Sequence, residues 1–164
     1  MIVVGIDPGL ASTGYAVVRR DGSRMVAVAC GTLRTSPRTP HAERLRALYD
    51  GISAVVGGHA VSEGAIEAWF VHPPSKAAMG MAEARGAILA ALAGHGLTVA
   101  EYAPNEVKQA VTGSGRAEKQ QIRFMVARLA SGVVAESDHA ADALAVAICH
   151  LNRAPLADAL RRTR

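Results

Sequence analysis

The sequence predicts an α/β protein: one mixed sheet of five strands, the first three antiparallel, with helices on both faces. Three observations predict it. Three apolar or β-branched runs occupy the first 33 residues, separated by turn formers. After them the apolar period changes from that of a strand to that of a helix. From there on, helical and strand-like segments alternate.

The first strand spans 1–7 and is stopped by Pro8-Gly9. The second covers 13–19, and the third covers 25–33 after an Asp21-Gly22-Ser23 turn. Strands so closely spaced form an antiparallel meander. Between His41 and Val56, Leu45, Leu48, Tyr49, Ile52 and Val56 recur at helical spacing. A strand over 61–67 follows, then a Pro73-Pro74 loop and a long Ala/Gly-rich helix over 76–93. The fifth strand is 97–102, and Pro104 opens a short helix to Val111. Residues 112–116 read as a Gly-Ser loop, 117–129 as a helix, and 138–151 as a last helix that is apolar nearly all round. No repeat or linker interrupts this order. Residues 1–152 therefore read as one domain, and 153–164 as a basic tail expected to fray.

At 164 residues, half of them apolar, the chain is long enough for one domain with a real core. Aromatics are only 4%, so Ala, Val, Leu and Ile must build that core. No apolar run reaches the roughly 18 residues of a membrane span. Asp7 breaks the first apolar run too early for a secretory signal. Cys30 and Cys149 sit in apolar settings without metal-like spacing, as two buried, reduced thiols of a cytoplasmic protein would. The net charge of +4 comes from 18 basic and 14 acidic residues, a modest excess. Its distribution says more. Residues 19–46 hold seven arginines against Asp21 and Glu43, while 104–130 hold Lys108, Arg116, Lys119, Arg123 and Arg128 against Glu106 and Glu118. On charge alone, a nucleic-acid partner and an ordinary solvated surface both stay open.

Acidic residues in otherwise apolar segments carry more information. Asp7 ends one apolar strand and Glu67 another, after Ala65-Ile66. Asp142 lies within 140–148, so apolar that a lone carboxylate there needs a partner or a metal. His139 stands three residues before it and Asp138 four, and either spacing shares one helical face. If the two strands are neighbours, their ends bring Asp7 and Glu67 together, and the last helix adds Asp142 and His139. Such groups repel one another unless a cation neutralises them. Oxygen-rich sites suit Mg²⁺ or Mn²⁺, and two ions about 3.5–4 Å apart are the recurring device for phosphodiester hydrolysis. Taken singly, each acid also fits a turn former or cap, and His139 a core or surface histidine. Spacing leaves both readings standing.

Larger blocks favour one of them. Gly5-Ile6-Asp7-Pro8-Gly9 with Thr13-Gly14-Tyr15, then Ile66-Glu67, Ala84-Arg85-Gly86, Val107-Lys108-Gln109, Ala117-Glu118-Lys119 and Asp142-Ala143-Leu144-Ala145 occur in order. Together they resemble RuvC-type Holliday junction resolvases over about residues 2–152. The resemblance implies a ribonuclease-H-like fold, a homodimer, and paired nicks set symmetrically across a four-way DNA junction in recombination and repair. By position, the catalytic and metal-binding acids are Asp7, Glu67 and Asp142, with two Mg²⁺ or Mn²⁺ ions per site. The RuvA–RuvB branch-migration machinery is the implied partner. The family's fourth position, commonly aspartate, falls here on His139. A neutral nitrogen donor there should shift preference toward the softer Mn²⁺, or serve as general base for the attacking water. Asp138 is the alternative donor, although the register favours His139.

Lys108 and Lys119 match family lysines near the scissile phosphate, where a compact cation suits a phosphate oxygen. Phe70 matches an aromatic that stacks at the junction centre; Trp69 beside it is the competitor, and the ordinary reading of such a pair is core. Lys76, beyond the Pro-Pro loop, fits a DNA-backbone contact. Two strands of like polarity need two equivalent sites, which suits a twofold dimer. The small-residue helix face from Ala77 to Ala91 fits either a partner helix or the protomer's own sheet. Three other readings remain: a fragment of a sugar-kinase or actin-like ATPase, an RNase-H-like nuclease acting on RNA, and a junction-binding module without catalysis. The first needs two related domains, for which the chain is too short. Lys108, Lys119 and Ala84-Arg85-Gly86 argue against the second. The intact acid set argues against the third, which His139 keeps alive.

Overall fold

The structure is a computed structural model describing residues 1–68 and 75–162, with side chains described as far as Arg153. Strands β1 (Ile2–Asp7), β2 (Ser12–Asp21) and β3 (Arg24–Arg34) form the antiparallel meander that the closely spaced runs predict. Helix α1 (His41–Gly57) leads to β4 (Glu63–Glu67), which joins β1 in parallel. Helix α2 (Lys76–Gly94) then leads to β5 (Thr98–Tyr102), parallel to β4. Ser75 caps α2, its hydroxyl accepting the Ala78 N–H at 3.1 Å. Helices α3 (Pro104–Thr112) and α4 (Lys119–Leu129) follow, and α5 (Asp138–Arg162) closes the chain.

The sheet has six strands, in the order β5-β4-β1-β2-β3-β6, where five were expected. The addition is β6 (Ala130–Gly132), three residues lying parallel to the start of β3. Ala-Ser-Gly carries no strand-like alternation, so only the neighbouring edge makes it a strand. Helix α5 runs on to Arg162, past residue 151 where its apolar pattern stops.

Strand alternation sorts the core into two layers. Val3, Ala16, Val18 and Ala65 belong with α3, α4 and α5, whereas Val4, Ile6, Val17 and Ile66 belong with α1 and α2. Each Leu or Ile so buried contributes roughly 1.5–3 kcal/mol. The α5 layer is built from alanine, which lets the helix lie directly on the sheet. A Cβ on Gly5 would overlap the Ala143 carbonyl, and one on Gly14 would overlap that of His139. These two glycines set how closely α5 approaches β1 and β2.

A polar staple fixes α5 at the other edge of the sheet. Buried His150 contacts the Tyr102 hydroxyl through Nδ1 at 2.9 Å and Glu63 through Nε2 at 2.8 Å. If the Tyr102 hydroxyl donates to Nδ1 and Nε2–H donates to Glu63, a neutral ring satisfies all three groups. Both cysteines are free; Cys149 is buried as expected, whereas Cys30 is only half-buried beside the open part of β3. Among the described residues no helix is long and apolar enough to cross a membrane.

Candidate active site

Period-2 alternation puts Asp7 on the same side of β1 as Val3 and Gly5, beneath α5, and Glu67 on the same side of β4 as Ala65. Ile6 pairs with Ile66, so the next residues, Asp7 and Glu67, end two neighbouring parallel strands together. The turn after Asp7 is closed by buried Thr13, whose hydroxyl donates to the Gly9 carbonyl at 2.6 Å and accepts the Gly9 N–H at 3.2 Å. Across β1, Asp7 pairs with Gly14. The space that Gly14 leaves is filled by the first turn of α5, which delivers His139. Its Nδ1 lies 2.7 Å from Asp7 Oδ2. Asp138 turns instead to Arg123, at 2.7 Å.

Asp142 comes in one turn later, into a cleft of about 300 Å³ lined by Glu67, Lys108, Lys119, Asp142 and the apolar Val107 and Ile122. The electrostatics of this corner are strained. Burial pushes the Glu67 carboxyl up to about 7, and the charges of Asp7 and Asp142 push it further than Lys108 and Lys119 pull it back. Asp7 is raised by burial and by Asp142, against the contact with His139 that lowers it. Asp142 is raised by burial, with Lys119 opposing. Glu67 is raised by both other acids and Asp7 by Asp142, which makes this corner an under-neutralised negative centre.

Among the described residues, no three His, Cys, Asp or Glu side chains are closed into a ligand cage. The donor chemistry nonetheless fits a divalent cation: carboxylate oxygens from three elements, one imidazole, and excess negative charge at their centre.

Of the residues singled out from the sequence, Asp7 and His139 meet directly, and Glu67, Asp142, Lys108 and Lys119 share the cleft. Lys76 does not join them. It is exposed at the start of α2 and lines a separate hollow with Leu10, His41 and Arg44. Phe70 and Trp69 lie outside the described residues. On α2, Gly80, Ala84 and Ala91 are buried within the protomer, while Ala82, Gly86 and Ala90 are exposed. The roles of Gly5 and Gly14 were missed. Their only signal was position, since each shares a strand face with Asp7.

Acids at the ends of adjacent strands in a mixed sheet, with a helix laid across to add another, define a nuclease of the ribonuclease-H-like class. The model of the crossover junction endodeoxyribonuclease RuvC family matches residues 3–150, and the chain belongs to that family. A crossover junction endodeoxyribonuclease RuvC from Rhodopseudomonas palustris is 45% identical over 159 residues, 97% of this chain and 91% of that one. The Thermus thermophilus RuvC structure superimposes with a TM-score of 0.87 at 31% identity, covering 96% of this chain and 97% of that one. The structure of T. thermophilus RuvC in complex with Holliday junction substrate gives 0.85 at 29% identity, covering 95% and 96%. Membership makes the chain an endodeoxyribonuclease of crossover junctions, and divalent-metal use comes with the family.

Proposed function

We propose that this chain resolves four-way DNA junctions by two symmetric nicks, with Asp7, Glu67, His139 and Asp142 as its catalytic and metal-holding groups. The observation that carries the reading is the under-neutralised acid centre between Asp7, Glu67 and Asp142, flanked by Lys108 and Lys119. Asp7, Glu67, His139 and Asp142 would hold Mg²⁺ or Mn²⁺, two per site, which would supply Lewis-acid polarisation of the scissile phosphate and charge for the departing oxygen.

The remaining work falls to side chains. With His139 neutral and Nδ1–H donating to Asp7, Nε2 is the nitrogen left with a free lone pair. It takes the proton of the attacking water or serves as a ligand, and Asp7 fixes the ring for either task. Lys108 and Lys119 hold phosphate oxygens as point charges, beside an apolar wall of Val107 and Ile122. Phe70 stacks on unpaired bases at the junction centre, and Lys76 contacts the backbone further out.

The substrate's twofold symmetry calls for two copies of the site, so the working form is a homodimer. It acts in the cytoplasm alongside the RuvA–RuvB branch-migration machinery. Incubating the protein and Asp7→Asn with a mobile four-way junction in Mg²⁺ or Mn²⁺ tests the reading. Symmetric nicks that vanish in the variant are the expected result. Junction binding without nicks by either protein points to a non-catalytic module, and no preference for a junction over duplex overturns the reading.

A further inference from the structure

Helix α4 begins at the site and leaves it. Lys119, its first residue, lines the cleft together with Ile122, and Ile122 and Val126 bury that side of the helix against α5 and the sheet. The outward face is cationic and holds Arg123 and Arg128, with no acidic residue anywhere in the helix. At its centre stands Phe124, 59% exposed. A phenylalanine so placed stabilises nothing in the core. Its ring instead carries the Arg128 guanidinium, 5.0 Å from the ring centroid.

We propose that this face is a track for the phosphate backbone of the duplex arm flanking the cut, with Phe124 serving to hold the Arg128 fork in position. The inference rests on the reading of the chain as a junction nuclease. From Lys119 to Arg128 the helix rises about 13.5 Å at 1.5 Å per residue. That is about four base-pair steps of 3.4 Å, and Arg123 and Arg128, about 140° apart around the helix, flank exposed Phe124, so a duplex laid across this side meets both. Arg123 is held by Asp138, but both groups are about half exposed and such a pair yields readily to a phosphate. A guanidinium laid on an aromatic face loses less rotamer freedom on binding and presents its planar fork to phosphate oxygens. Charge complementarity and continuity with the cleft favour nucleic acid over an acidic protein surface as the occupant.

Junction affinity measured against salt concentration tests the track. In Arg123→Gln/Arg128→Gln the slope of log K against log salt is expected to fall by about 1.8, from about 0.9 per phosphate lost. Phe124→Ala leaves the charge unchanged and is expected to weaken binding about threefold, the lower range of an exposed cation–π contact. Trimming each arm to stop short of the track should abolish both differences. An unchanged slope in the double variant, or an effect that persists on trimmed arms, overturns the inference. So does full junction affinity with loss of protein–protein association instead. Failure of the nuclease reading looks different, because the unmodified protein itself would then show no junction preference or nicks.

Discussion

Burial and two neighbouring carboxylates hold the Glu67 pKa at about 7, against 4.5 for an ordinary glutamate. Between these values the folded protein keeps a proton that the unfolded chain has released. Stability is therefore full below about pH 4.5 and falls as pH rises toward 7, by on the order of 2–3 kcal/mol once partial exposure is discounted. Asp7 and Asp142 act in the same direction. Glu67→Gln is thus expected to raise the Tm of the cation-free protein at pH 8 by about 4–8 °C and to change it little at pH 4.5, while abolishing nicking. Calorimetry at the two pH values checks this, and an equal effect at both would contradict it. His139 sets a second expectation at this scale. If its nitrogen biases the site toward the softer ion, Mn²⁺ outperforms Mg²⁺ in nicking, and His139→Asp narrows the gap. An unchanged metal ratio in that variant removes the argument.

Helix α5 meets the sheet through Gly5 and Gly14, and the fit leaves no room for a methyl group. Gly14→Ala must push back the turn that bears His139. The expected cost is about 1–3 kcal/mol, together with loss of nicking at a temperature where the variant is fully folded and still binds the junction. Retained nicking would show that the His139–Asp7 contact tolerates displacement. At the far edge, Tyr102→Phe leaves the His150 Nδ1 without its donor in a buried setting, and chemical denaturation should show a loss of about 1–3 kcal/mol. Elements of this kind differ in how plainly the sequence announces them. The strands and the acids at their ends were legible, because Asp7 and Glu67 interrupt apolar runs and Asp142 sits where a charge is expensive. The glycine contacts, the Tyr102–His150–Glu63 staple and β6 were not. Each depends on what the chain meets from far along the sequence, and neither a lone glycine nor Ala-Ser-Gly declares its neighbour.

At the scale of the whole molecule, the sheet gathers acids from three separate elements at one end of its central strands, on the α5 face. On the proposed reading, the two-strand symmetry of the substrate calls for a second copy. Sedimentation is expected to show a particle of twice 17.0 kDa, and a monomer active on junctions would remove the symmetric-nick argument. Chelating divalent cations should stop nicking yet leave a junction complex visible by gel shift, since the lysines and arginines need no metal to hold phosphate. One feature of α5 reaches beyond catalysis. Every residue from Ala143 to Leu151 is buried, so this stretch has no solvent-facing side along which to fray. Amide hydrogens there should exchange only through global unfolding, and those of the outer strands and α4 should exchange well before them. His139 and Asp142 are thus mounted at the threshold of the segment expected to exchange most slowly among the described residues. Brief openings at the periphery, of the kind a protein gripping and releasing DNA must undergo, can come and go without disturbing the geometry of the chemistry.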